Sequence, residues 1–182
     1  FSLADANQSH PQPDGTKPYY DESLGSWAAP FIMAAINTKN VHRSNYLANF
    51  AYGKTFQYDE MMLTGPGEKG EAMANHVAQD KSLGGQGGPK PGEGPSKEER
   101  ENGFYDVMFI GEATNGDTLA VSVIGDKDPG YGSTSRMISE SALCLCKDVS
   151  LSGGFFTPAS ALGDKLISRL TEKAGLTFNI EK

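Results

Sequence analysis

The chain has 182 residues, with 16 basic and 23 acidic side chains and a formal net charge of −7. That balance excludes the basic surface a phosphate backbone requires, so no nucleic-acid partner is expected. Hydrophobic residues make up 37%, and the 22 glycines raise the apolar share to about 49%, inside the globular range of ~45–50%, which excludes wholesale disorder. The length fits one domain of ~100–200 residues. Glycine and proline together account for 32 residues, well above the usual share of ~12%, so long irregular segments are expected.

The longest uncharged run is 23–38, and its apolar part, 27–36, is interrupted by Pro30. It falls short of the ~18 apolar residues of a membrane span. No basic segment followed by an apolar one reads as a signal peptide. The two cysteines, Cys144 and Cys146, would project about 200° apart on a helix and cannot bridge each other. They fit a reduced, cytoplasmic chain, with peripheral attachment to a membrane as the alternative. The start on Phe1 reads as that of a cut chain, a processed product or a piece of something longer.

Residues 1–26 carry Pro11, Pro13, Gly15 and Pro18 and read as an extended lead-in or linker, with order beginning near Trp27. Residues 27–182 read as one substrate-binding or oligomerising domain. Asn40 is placed to cap a helix over 41–52 that Gly53 ends. A strand is expected over 56–64, closed by the Gly65-Pro66-Gly67 turn. The Ala-, Glu- and Lys-rich segment 68–80 favours a helix, and 82–95, with six glycines and three prolines, reads as a long loop.

Ser96 and Glu99 form a capping box ahead of a short helix. Two apolar runs, 104–113 and 118–125, joined through Asn115-Gly116, predict a β-hairpin, covered on both faces or packed into a wider sheet, at the centre of the core. Helices follow over 133–147 and 158–173, then a strand over 176–180. The fold class is α+β: an antiparallel or mixed sheet with a central hairpin, flanked by helices. A dinucleotide-binding βαβ unit needs a strand, GxGxxG, a helix and an acidic residue about 20 positions on; no complete unit is read, so no Rossmann domain is expected in this chain.

Two polar clusters could carry chemistry. Residues 37–45 hold Asn37, His42, Arg43 and Asn45 at the start of the helix expected there, where adjacent side chains point about 100° apart, so His42 and Arg43 need not share a pocket. Residues 126–136 run through Pro129, Gly130, Tyr131 and Gly132 into a helix whose free amides could hold an anion, or which Ser133 or Thr134 simply caps. His10, His42 and His76 show no metal-ligand spacing, and no nucleophile elbow occurs, so zinc and hydrolase chemistry have little support. Both cysteines are assigned to packing.

Four strings, WAAPFIMAAINTKNVHRSN (27–45), YGKTFQYDEMMLTGPG (52–67), GDKDPGYGSTSRMISESALCL (125–145) and GGFFTPASALGDKLISRL (153–170), resemble the C-terminal half of saccharopine dehydrogenase-like oxidoreductases, nearest the trans-acting enoyl reductase group. The resemblance runs from about Pro18 to Ile180. It implies a parent enzyme with an N-terminal Rossmann domain that binds NAD or NADP, and it makes this chain the substrate-binding partner of that domain. The chain itself is then expected to hold no cofactor and no metal. A small substrate, acyl or lipid-like, is a further implied partner; a homodimer is expected separately, if the hairpin's edge pairs with a second copy.

No catalytic residue of the family maps onto this chain, so site residues follow from polarity and turn geometry. Tyr131 and His42 are candidate proton donors for double-bond reduction. Asn37, Arg43, Asn45, Ser133 and Thr134 are candidate substrate contacts. The alternative is a module without catalytic activity, for acyl or lipid binding or for dimerisation.

Overall fold

In the computed structural model, which describes residues 10–80 and 92–181, the chain is α+β, with five helices and two three-stranded antiparallel sheets. Where the sequence reads as one body over 27–182, its contacts fall into two compact units, 1–88 and 89–182. Most of the loop expected over 82–95 lies outside the described residues.

Unit 1 is built on β1 (Tyr19–Asp21), β2 (Ser26–Pro30) and β3 (Met61–Gly65), in the order β1-β2-β3. The lead-in expected over 1–26 therefore contains a paired strand. Asp21 makes this possible: its Oδ1 accepts from the amides of Ser23 (2.9 Å) and Leu24 (3.1 Å), folding 22–25 into the turn that returns the chain as β2. Strand β2 is central, with Ala28 and Ala29 fully buried.

Helix α1 (Ala34–Leu47) starts seven residues before the position expected from Asn40. The polar side chains taken as a start signal bond backwards instead: Thr38 Oγ1 donates to Ala34 O (2.6 Å) and Ser44 Oγ to Asn40 O (2.8 Å), which lets such residues sit inside a helix. The strand expected over 56–64 pairs only from Met61 onward. Helix α2 (Gly67–Gln79) lies where the composition placed it and packs on β2 and β3, burying Gly70 and Ala74.

Unit 2 begins with α3 (Lys97–Asn102), whose capping box is present: Ser96 N donates to Glu99 Oε2 (2.7 Å) and Glu99 N to Ser96 Oγ (3.2 Å). The hairpin of β4 (Tyr105–Glu112) and β5 (Thr118–Gly125) keeps an unbroken register and turns at Asn115-Gly116, where Gly116 has φ +87°, a conformation suited to glycine. Strand β6 (Leu176–Glu181) pairs with β5, leaving β4 at the edge. Of the two expectations for the hairpin, the wider sheet is the one observed, through β6; it is not covered on both faces, since Val107, Met108, Phe109 and Ile110 are each 42–50% exposed.

The core of unit 2 lies instead where α4 (Gly132–Lys147) and α5 (Pro158–Lys173) meet β5 and β6. Leu170, Ala174 and Leu176 are buried there against Val123, Met137 and Phe178. Arg169 on α5 ties the two helices together by pairing with Glu140 (2.8 Å) and with Asp148. Cys144 is buried but Cys146 is exposed, so only the first of the two serves packing.

A Cβ at Gly70 would run into the carbonyl of Gly65, which is backbone and cannot step aside. Gly70→Ala is therefore expected to lower the unfolding free energy by about 1–3 kcal/mol in urea titration. An unchanged midpoint would show that α2 does not sit this close to the end of β3.

Candidate functional site

The candidate site is a cavity of 750 Å³ in unit 1, within the ~300–1,000 Å³ typical of small-molecule pockets. Phe31, Ile32, Phe50, Phe56, Met62 and Val77 contribute apolar surface to it. Thr38, His42 and Tyr46 stand four residues apart on α1 and all line it, as helical spacing requires. Arg43 lines it as well, its guanidinium 5.3 Å from the Tyr46 ring centre. The cavity is thus wide enough to take both His42 and its neighbour.

His42 sets the chemistry. Its ring meets Phe56 edge-on at 5.7 Å, and Phe56 in turn packs against Tyr52 (5.4 Å) and Tyr58 (6.1 Å). Among the described residues its Nε2 is buried with no hydrogen-bond partner, a state that costs ~1–3 kcal/mol. Burial pulls the imidazole pKa below 6.5, so the ring is mainly neutral at neutral pH.

Asn37 does not line the cavity but acts beside it. Its Nδ2 donates to Glu60 Oε2 (2.9 Å), while the Tyr58 hydroxyl donates to Glu60 Oε1 (2.9 Å). Burial, reinforced by that bond and by the Glu60 charge, pushes the Tyr58 phenol well above its ordinary range. Asn45 is 4% exposed and spends its amide on the backbone: Nδ2 donates to Gly53 O (2.9 Å), and Oδ1 accepts from Tyr52 N (2.9 Å).

The other three candidate residues lie in unit 2, at the start of α4. Tyr131 is the N-cap and is 54% exposed. Ser133 is fully buried and bonded to the Tyr105 hydroxyl (2.8 Å), and Thr134 Oγ1 donates to Pro129 O (2.7 Å). Neither Ser133 nor Thr134 caps the helix. Asp128 does so, its carboxylate accepting from the amides of Gly130 (3.0 Å), Tyr131 (3.0 Å) and Gly132 (2.5 Å). Burial alone would raise the Asp128 pKa, but these donors and the Arg100 charge outweigh it and leave the pKa below the usual value. Of the two alternatives for this turn, anion binding and capping, the structure shows a cap, supplied by the chain's own Asp128 and not by Ser133 or Thr134.

Sequence reasoning missed His10, Phe56, Tyr58 and Glu60. The alternation of Phe56 and Tyr58 was the available signal; it reads as a strand, and the structure uses it as a cavity wall. No group of three or more metal-ligating side chains occurs among the described residues. None of the described helices is long and apolar enough to cross a membrane.

The chain is similar to mycobacterial proteins. It is 38% identical over 168 residues to a Mycobacterium tuberculosis protein provisionally named trans-acting enoyl reductase. It is 33% identical over 190 residues to the trans-acting enoyl reductase of Mycobacterium ulcerans, and 33% over 168 residues to that of Mycobacterium bovis. These alignments take in 82–89% of the chain, but the chain spans only 40–44% of the length of these curated relatives. No protein-family profile and no solved structure matches it.

Burial of His42 makes a direct expectation. Its ring resonances should titrate below pH 6.5 in histidine NMR, and between that midpoint and 6.5 the fold should lose stability as pH falls, because the unfolded chain takes up the proton first. A midpoint at or above 6.5 would contradict a desolvated ring.

Proposed function

We propose that this chain supplies the substrate-binding part of a longer NAD(P)-dependent enoyl reductase, with the unit 1 cavity receiving the apolar, unsaturated acyl group. The observation that carries this reading is the cavity itself: 750 Å³, lined largely by aromatic and aliphatic side chains, with a buried, unpartnered imidazole nitrogen. A ligand whose polar atom met that nitrogen would relieve its desolvation cost while the apolar wall held the remainder. Similarity to enoyl reductases over less than half their length supports a partial domain of an oxidoreductase.

The described residues do not fit a dinucleotide. Gly65, Gly67 and Gly70 have GxGxxG spacing between β3 and α2, but β3 lies in an antiparallel sheet and not in a parallel βαβ unit, and the glycine-bearing turn into α4 already holds the Asp128 carboxylate. In this reading the nicotinamide binds in the part of the protein outside the chain. The chain's own residues bind the acyl group, keep water from it and place a proton.

His42 is the proposed proton donor, and Tyr131, exposed at the start of α4, is the second candidate. Arg43 contacts substrate from the cavity wall. Asn37 and Asn45 act as positioning residues, through Glu60 and through the 52–53 backbone. Ser133 and Thr134 act through the helix start that carries Tyr131. The competing reading, an apolar-ligand module without redox activity, shares the cavity and differs only in what the intact protein does with the ligand.

The test is steady-state reduction of a medium-chain enoyl thioester by the intact longer protein. His42→Phe, which keeps a ring against Phe56, should lower kcat by about 100-fold or more. In the unsubstituted protein kcat should rise as pH falls toward the depressed His42 pKa, since only the imidazolium donates. Unchanged turnover in His42→Phe removes His42 from that role, and absence of any NAD(P)H-dependent turnover favours the binding module.

A further inference from the structure

Nothing in the sequence joins His10 to His42, which lie 32 positions apart. The fold places both on the wall of the unit 1 cavity. Among the described residues they also supply the two buried side-chain polar atoms that lack a hydrogen-bond partner, His10 Nδ1 and His42 Nε2. Buried polar groups in folded proteins are nearly always satisfied. Two exceptions on one cavity mark where polar atoms of a ligand belong.

The position of His10 is fixed by its neighbours. Gln12 clamps the segment to the aromatic wall: its Nε2 donates to Phe56 O (3.2 Å) and to His10 O (3.1 Å), and its Oε1 accepts from Tyr58 N (3.1 Å). Gln57 Nε2 donates in return to Pro11 O (2.9 Å). Residues 10–12 are therefore laid along 56–58, the same stretch that carries the rings facing His42.

We infer that His10 is a second ligand-contacting residue of this cavity, and that His10 and His42 together hold the oxygen function, carbonyl or carboxyl, of a ligand whose body is apolar. Two imidazoles alone fall short of the four ligands a zinc ion takes, and the described residues offer no third metal-ligating group beside them. An oxygen function suits the nitrogens, because an imidazole can donate to its lone pairs or accept from a hydroxyl proton. The surrounding Phe31, Phe56 and Met62 suit an apolar body. The inference rests on the reading of this cavity as the substrate pocket.

Three probes test it in this chain: methyl hexyl ketone, octanoate and the oxygen-free toluene, followed by the imidazole C–H resonances in NMR. At least one oxygen-bearing probe should shift the rings of both His10 and His42 and leave His76 in place. His10→Phe and His42→Phe should each weaken that probe by about tenfold while changing toluene binding less than about twofold. His10→Asn, whose amide reaches the position of Nδ1, should recover part of the loss, and Gln12→Ala should cause a smaller one. Whichever of ketone and carboxylate binds more tightly identifies the oxygen function.

Oxygen-bearing probes that bind the His10→Phe variant as well as the unsubstituted chain would overturn the inference and leave the cavity as a binding site. Equal weakening of toluene would overturn it too, by showing that His10 acts only on cavity shape. If none of the three probes binds, the reading of the cavity itself fails.

Discussion

The Asn45 side chain fixes the wall of the unit 1 cavity. Helix α1 ends at Leu47, and the next residues include Asn49 and Phe50 at φ +54° and +60°. Such values are uncommon for any residue with a Cβ and costly for a bulky one. The turn persists because it is over-determined: Phe50 N donates to Asn45 O (2.7 Å), and the Asn45 amide holds both Tyr52 N and Gly53 O. With the turn closed, the chain comes back along α1 and sets Phe56 against His42. The desolvation of His42, the edge-on ring contact and the position of Tyr58 all follow from that return.

Unit 2 answers a different constraint. Its helix α4 starts with free amides, as every helix does, and the Pro129-Gly130 turn folds so that Asp128 supplies the anion itself. A carboxylate there stabilises the helix start and complements its dipole. The geometry is that of a phosphate cradle already filled, which is why the glycines of this turn do not amount to a dinucleotide site. The curated relatives are more than twice as long as the region matched.

Much of the architecture was legible in the sequence because it rests on local signals. The hairpin follows from Asn115-Gly116 and its flanking runs, α3 from its capping box, α2 from composition, and α5 from periodicity except at Gly163, where φ +49° and ψ −138° break the helix. The failures have physical causes. Thr38 and Ser44 satisfied themselves on helical carbonyls, so a polar run that looked like a helix start lay inside one. Strand β4 is apolar on both faces yet sits at a sheet edge, because hydrophobicity reports a tendency to burial and not which neighbour provides it. Of the site, His42 and Arg43 were visible as members of the polar run 37–45. His10 was not, since its placement depends on Gln12 bonding across 44–46 positions to Phe56 and Tyr58, a contact no local pattern encodes.

The central claim is a division of labour: this chain receives the acyl group and leaves the nicotinamide to the remainder of the protein. Backbone amide NMR of the chain, titrated separately with a medium-chain enoyl thioester and with NADPH, tests it most directly. The account predicts thioester-dependent shifts concentrated on α1 and residues 54–62, with none beyond noise on adding NADPH. Saturable NADPH shifts at the start of α4, or thioester shifts confined to unit 2, would contradict it.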